Sequence, residues 1–380
     1  MKKLTAKILV GDNRKSLKSL PTGCVQTVIT SPPYWGLRDY GTAVWIGGEE
    51  SCDHQTSRSR GDDIKSGDKQ GTSKGSRPNT QWECKCGATR EDEQIGLEKT
   101  PADFIEQLCL VFDEIWRVLA DDGTVWVNLG DSYKPSGNGS TKAGLNERYR
   151  GKPSVVDKQG APENHLDRSG FLADVKEKEL VGVPWRFAFA MQARGWYLRQ
   201  DIIWAKPNPM PESVTDRCTK SHEYVFLLTK APRYFFDHEA IKEDALWASD
   251  KRNGDGRLTY DGKRQGENGK GQEAFVAITD KRNKRDVWTV STKPYADAHF
   301  ATYPPELILP CVLAGSKEGD IVLDPFSGSG TTGEVALKNN RHYIGLELNP
   351  DYAKISEKRI SNAIGMFGEV EILDAGVLLE

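Results

Sequence analysis

Two short runs, far apart in the chain, hold residue types that could do chemistry together. The first is Thr30-Ser31-Pro32-Pro33-Tyr34-Trp35. A serine hydroxyl beside a proline carbonyl puts two hydrogen-bond acceptors at one point, and consecutive prolines pre-set the backbone that aims the carbonyl. Such a pair suits both hydrogens of an amino group. Tyr34 offers a ring on which a planar group can stack, and Trp35 could wall the same pocket. The second run is Asp324-Pro325-Phe326-Ser327-Gly328-Ser329-Gly330-Thr331-Thr332. Its glycines allow a sharp turn and a close approach to a ligand where any Cβ would collide. Glu347 stands 23 positions after Asp324, where an acid can bind a ribose through both hydroxyls. Taken singly, the runs also fit a rigid Pro-Pro turn and a tight strand-to-helix turn.

The surrounding elements decide whether the two runs can meet. Val25 to Thr30 is a β-branched run that must stop at Pro32-Pro33, so Ser31 to Tyr34 begin a loop at a strand end. Pro101 to Leu119 shows apolar residues three or four apart, with Thr100 as N-cap and Pro101 at the first helical position. Asp122-Gly123 is expected to turn the chain into a strand over Thr124–Leu129. Val183 to Ala193 reads as a helix ended by Gly195, followed by strands at Leu198–Trp204 and Tyr224–Leu228. Ile321–Leu323 is a strand, Thr332 to Asn339 a helix and Tyr343–Leu346 a strand. The alternation implies an α/β fold with a largely parallel sheet, and ligands in such sheets bind at the carboxyl ends of the strands.

The Asp-Pro-Phe-x-Gly-Ser-Gly-Thr-Thr run resembles the S-adenosylmethionine motif of amino-group DNA methyltransferases, and Ser-Pro-Pro-Tyr resembles their catalytic motif. The resemblance implies a Rossmann-like S-adenosylmethionine-dependent methyltransferase fold, circularly permuted with polar insertions, because the catalytic run precedes the cofactor run as in the β group. It implies that Asp324, Phe326, Gly328, Gly330 and Thr331 surround the methionine part, and that Glu347 holds the ribose. His299-Phe300 resembles the segment packed at the methionine end, and Gly11-Asp12 the acidic strand end that would place Asp12 near the adenine. Ser31, Pro32, Pro33 and Tyr34 would then act on the exocyclic amine of a base flipped out of double-stranded DNA. Serine before Pro-Pro-Tyr accompanies N4-cytosine enzymes of the family, with N6 of adenine as the alternative. No ionised general base is visible in the motif, so the proton is expected to leave to water.

Cys52-Asp53-His54 and Cys84-Lys85-Cys86-Gly87 present Cys52, His54, Cys84 and Cys86 at ligand-like spacing, a set that suits a structural Zn²⁺. The remaining cysteines, Cys24, Cys109, Cys218 and Cys311, sit in or near apolar or strand segments and read as core or incidental. Seven cysteines, an odd number, argue against a disulfide framework and for a reducing cytoplasm, which the resemblance implies is that of a bacterial or phage-infected cell. No apolar run approaches the length of a membrane span, and the opening Met1-Lys2-Lys3-Leu4 meets charge again at Lys7, unlike a secretory signal. Net charge is -3, so any DNA-binding face must be local. Residues 54–90 carry eight Lys/Arg against four Asp/Glu, and Lys281-Arg282-Asn283-Lys284-Arg285 forms a second cluster. The resemblance places target recognition at roughly 207–290, with Lys206-Pro207-Asn208-Pro209 at its entrance, and Asn138, Arg148 and Arg150 are further candidate contacts.

The organisation expected is a catalytic half over 1–46, a zinc-binding insertion over 47–98, and methyltransferase domain over 99–206 interrupted at 131–178. A target-recognition region over 207–290, a cofactor half over 291–365 and a tail over 366–380 complete it. The resemblance implies double-stranded DNA as the partner and admits a homodimer and a cognate restriction endonuclease.

Overall fold

The computed structural model describes residues 3–36, 40–49, 51–52, 84, 86–134, 175–245, 281–292, 303–364 and 368–374. In chain order the described elements are β1 (Leu4–Val10), α1 (Asn13–Ser16), β2 (Val25–Thr30), β3 (Val44–Ile46), β4 (Thr89–Glu91), α2 (Pro101–Val118) and β5 (Leu119–Leu129). There follow α3 (Val183–Ala193), β6 (Tyr197–Ala205), β7 (His222–Thr229), β8 (Glu243–Asp244), β9 (Lys281–Arg282) and β10 (Val287–Thr289). The last six are α4 (Pro305–Gly315), β11 (Ile321–Asp324), α5 (Thr331–Lys338), β12 (His342–Glu347), α6 (Pro350–Ile364) and β13 (Gly368–Asp374).

Nine of these strands form one sheet in the order β10-β6-β7-β5-β2-β11-β12-β1-β13. β7 runs antiparallel to both β5 and β6, and the other neighbours run parallel. The fold is therefore α/β with a mostly parallel sheet, as the alternating pattern required. Two consequences matter for function. β2 and β11 are direct neighbours, paired at Val322↔Thr27 and Leu323↔Val28, so both chemical runs leave the sheet side by side. And because β7 is reversed, its first residues lie at the edge where β2, β5 and β11 end.

Side chains alternate across the strands with period two, and helices cover both faces. Val125, Val127 and Leu129 of β5 pack with Phe104, Leu108, Phe112 and Ile115 of α2 and with Phe187 and Met191 of α3. Trp126 points the other way, into a core shared with Ile308 and Val312 of α4, Val335 of α5 and Ile360 of α6. Helix α2 starts where the sequence says it should: Thr100 accepts from the Asp103 backbone N–H at 3.1 Å, with Pro101 at the first turn. Each large side chain buried along it contributes on the order of 1.5–3 kcal/mol.

Three expectations need correction. Asp122-Gly123 does not end one element and begin another. The strand runs unbroken from Leu119, and its pairing to β2 jumps from Val25↔Leu119 to Thr27↔Thr124, so the Asp-Gly sits in an irregularity inside β5. A bulge and a turn use the same residue types, which is why the local pattern misled. The region 207–290 is not separate from the sheet, because β7 and β10 both belong to it. Nor is 366–380 merely a tail: β13 pairs in parallel with β1 from Leu4↔Gly368 to Val10↔Asp374. Among the described residues, no helix is long and apolar enough to cross a membrane.

Candidate active site

A cavity of about 610 Å³ opens at the carboxyl ends of β1, β2, β5, β11 and β12. Ser31, Pro32, Pro33 and Tyr34 line one side of it, and Phe326, Gly328, Thr331, Glu347 and Asp12 the other. The two sides are clipped together by a buried hydrogen bond, in which Thr30 Oγ1 donates to Asp324 Oδ1 at 2.6 Å.

Asp324 itself does not face the cavity. Its carboxylate also accepts from Thr332 Oγ1 at 2.6 Å, Tyr303 OH at 3.1 Å and the Phe326 N–H at 3.1 Å. Burial pushes this carboxyl upward, and the four donors oppose that rise. Its geometry is that of a knot joining β2, β11, α5 and the start of α4. Gly330 sits at φ 77°, and a Cβ there would lie 2.4 Å from Ser356 Oγ, so only glycine fits where this loop meets α6. Arg359 of α6 braces the loop from beneath, donating to Ser329 Oγ at 3.1 Å and Thr331 Oγ1 at 2.7 Å.

Glu347 accepts from the Gly328 N–H at 2.7 Å and the Asn349 N–H at 2.9 Å. Burial outweighs those two donors and pushes its carboxyl up to about 7. Asp12 caps α1 by accepting from the Arg14 N–H at 2.9 Å, and pairs with the Arg14 guanidinium at 2.9 Å. Tyr40 and Tyr352 close the same end, edge to face with ring centroids 6.4 Å apart. These groups fit a nucleoside-bearing ligand: an acid for ribose, aromatic rings beside it and a glycine loop without Cβ atoms in the way.

On the catalytic side, Ser31 Oγ donates to Asn128 Oδ1 at 3.3 Å. Tyr34 OH donates to Glu223 Oε2 at 2.6 Å, and Asn128 Nδ2 donates to the same oxygen at 3.1 Å. Lys206 Nζ pairs with the other oxygen, Glu223 Oε1. Burial first, and then the neighbouring carboxylate, push the Tyr34 phenol well above its ordinary range, so it stays protonated and donates. Its ring lies against Gly130, where a Cβ would come within 2.6 Å of Cε2.

Asn128, Glu223 and Lys206 were not foreseen as members of this pocket. The sequence shows no carboxyl group in the catalytic run, yet the reversed β7 delivers one. Only the strand's direction, which residue types do not encode, could have revealed it. Trp35 is a correction of the opposite kind: it is buried in the core, with its indole N–H donating to Glu98 O at 2.9 Å, and anchors the loop rather than walling the cavity.

With this geometry in place, comparison is decisive. Residues 25–358 match the family described as DNA methylase, of the N6/N4 methyltransferase type. The chain belongs to that family. This methylase is 40% identical over 355 residues to the Type II methyltransferase M.Cfr9I of Citrobacter freundii, covering 93% of its own length and 87% of the relative's. It is 38% identical to M.SmaI of Serratia marcescens, over 94% of its own length and 91% of the other's. Among solved structures it is similar to the cytosine-N4-specific PvuII DNA methyltransferase, at 16% identity and a TM-score of 0.52, with 98% of each chain covered. A protein of Thermus thermophilus, named as a DNA modification methylase and complexed with S-adenosyl-L-methionine, aligns at 20% identity and a TM-score of 0.50, over 97% of this chain and 100% of that one. Likenesses this distant show the fold.

The methylase's cysteine cluster lies at one end of the β3–β4 pair, with Tyr40, Thr42, Glu93 and Gln94 of the cavity lining at the other. Cys52, Cys84 and Cys86 have sulfur atoms within 4.8 Å of one another, with Cys52 and Cys84 at 3.6 Å. Strands β3 and β4 pair from Val44↔Glu91 to Ile46↔Thr89, and the Cys84 N–H donates to Ala88 O at 2.7 Å. Of the other cysteines, Cys109 and Cys311 are buried, Cys24 half-buried and Cys218 exposed. His54, His299, Phe300, Asn138, Arg148 and Arg150 lie outside the described residues. In the second basic cluster, Arg282 and Arg285 both donate to Glu243 Oε1, which neutralises part of its charge.

Proposed function

We propose that this methylase transfers the methyl group of S-adenosylmethionine to an exocyclic amino nitrogen of a base flipped out of double-stranded DNA, N4 of cytosine in preference to N6 of adenine. The observation that carries the reading is the single cavity in which Ser31–Tyr34 face Phe326–Glu347, joined by the Thr30–Asp324 bond. When bound, S-adenosylmethionine supplies an electrophilic methyl on sulfur and is left as S-adenosylhomocysteine. The chain's own residues do the rest. Glu347 takes the ribose hydroxyls, and Asp12, Tyr40 and Tyr352 surround the nucleoside end. Ser31 Oγ and the Pro32 carbonyl accept the two amino hydrogens, which draws the nitrogen lone pair out of conjugation with the ring and toward the methyl; as the N–C bond replaces the S–C bond, the nitrogen sheds one proton to water. Serine before Pro-Pro-Tyr favours cytosine.

The Type II relatives extend the reading to a modification enzyme that protects DNA from a cognate restriction endonuclease in the cytoplasm. Lys206 and Thr292 line the cavity, and Asn208 ties the 206–209 segment to Thr292 through bonds of 3.2 and 3.0 Å, so DNA would approach along this segment. The test is mass spectrometry of nucleosides from DNA treated with the purified enzyme and isotope-labelled S-adenosylmethionine. N4-methylcytosine is expected. N6-methyladenine would overturn the base preference, and no labelled nucleoside would overturn the whole proposal.

We also propose a structural Zn²⁺ on Cys52, Cys84 and Cys86, with His54 as the fourth ligand by sequence. Zn–S bonds of about 2.3 Å in a tetrahedron put sulfurs about 3.8 Å apart, close to the spacing seen. Tyr40, Thr42, Glu93 and Gln94, at the other end of the β3–β4 pair, line the cavity, so the metal would brace one of its walls through that pair. Elemental analysis should find one zinc per chain, lost in Cys86→Ser together with cofactor affinity. Metal-free enzyme of full affinity would refute the site.

A further inference from the structure

The proposed transfer asks something of Ser31 that a hydroxyl does not guarantee. To accept a hydrogen from the target amine, Oγ must send its own proton elsewhere, because a hydroxyl pointing into the cavity would meet the amine donor to donor. The structure holds an arrangement that settles this. Asn128 presents Oδ1 to Ser31, and its amide cannot flip without loss, because Nδ2 faces two acceptors, Glu223 Oε2 and Tyr224 O, each at 3.1 Å. Flipping would set Oδ1 against both oxygens. Tyr34 OH also donates to Glu223 Oε2, which turns its own proton away from Ser31.

We propose that Glu223 is a positioning residue which, through Asn128 and Tyr34, fixes Ser31 Oγ as a pure acceptor for the target amine. The inference rests on the methyl-transfer reading above and names what makes its serine competent. Glu223 does not serve as the base in this arrangement. Oε1 is occupied by the Lys206 ammonium and Oε2 by two donors, so the carboxylate is spent on orientation. Lys206 is itself held over the Trp204 ring, 4.2 Å from its centroid, which fixes the counter-ion in turn. Four side chains from the end of β2, β5, β6 and β7 thus carry one instruction to a fifth.

A double-mutant cycle tests this. Glu223→Gln removes the charge yet keeps the shape, and its amide can turn an N–H toward Asn128 or Tyr34. We expect kcat to fall by roughly ten-fold or more, with the KM for S-adenosylmethionine and the Kd for DNA within about two-fold of wild type. Asn128→Ala should lose at least as much. The decisive measurement is the double variant: if Glu223 acts through Asn128, the second substitution adds little to the first. Thermal unfolding of each variant checks that the chain is folded, and Tyr34→Phe, which keeps the ring, gives a milder third arm. Wild-type kcat in Glu223→Gln, independent additive losses, or equal loss of kcat and cofactor affinity would each overturn the relay while leaving the transfer reading intact. A wild-type enzyme that methylates no exocyclic amine would instead overturn that reading, and the relay with it.

Discussion

On the cofactor side of the cavity, backbone amides hold part of the wall, Asp324 by the Phe326 N–H and Glu347 by those of Gly328 and Asn349, while Thr30 and Arg359 brace it from β2 and α6. On the catalytic side, Ser31, Tyr34, Asn128, Lys206 and Glu223 reach one another through side chains from four strands. Both walls need the sheet, but the first is pinned in part by backbone amides. The second is held mainly from side chain to side chain. The difference teaches where each wall is fragile: the first should fail by losing ligand, the second by losing rate.

The largest effect should come from Ser31→Ala. Removing one of two acceptors should cut kcat on the order of 10²–10³-fold, as for other groups that act chiefly in the transition state, while calorimetry finds cofactor affinity nearly unchanged. Equal losses would erase the distinction between the walls. Glu347→Gln should do the converse, weakening S-adenosylmethionine binding by about ten- to hundred-fold with kcat at saturation little altered. Wild-type affinity should itself depend on pH. With the Glu347 carboxyl pushed up to about 7, it is mostly protonated at pH 6 and mostly ionised at pH 8. Ribose hydroxyls donate best to the ionised form, so affinity should fall as pH drops through 7, and binding near pH 7 should release protons. Calorimetry in buffers of different ionisation enthalpy would read that release. A flat wild-type profile, or a pH dependence that persists in Glu347→Gln, would contradict the assigned contact. The smallest effect belongs to Asp324→Asn, which leaves the Phe326 N–H facing a poorer acceptor and disturbs three hydroxyl donors. It should lower stability by about 1–3 kcal/mol, read as a lower denaturation midpoint, with the cleft still able to bind cofactor.

The same contrast explains what the sequence disclosed. The run from Asp324 to Thr332 announces its turn because glycine, proline and a following amphipathic helix are local signals, and the strand ending at Thr30 was bounded by its prolines. Helix α2 was legible for the same reason, from its cap and its apolar spacing. By contrast, Asn128 and Glu223 sit in β5 and β7 as ordinary polar residues at strand ends. Nothing in VNLGD or HEYVF states that the second strand runs backwards beside the first. The short apolar stretches of β1 and β13 were passed over because their pairing is with each other's region of the sheet, a relation between the two ends of the chain.

The adjacency of β2 and β11 has a practical consequence. Neighbouring strands are held about 4.8 Å apart by their backbone ladder, whatever side chains they carry. The ends of the two strands, from which the Ser31 and Phe326 loops depart, are thus held at ladder spacing. A segment that reads DNA could therefore be exchanged for another, and the enzyme redirected to a new site, without retuning the distance over which the methyl group moves.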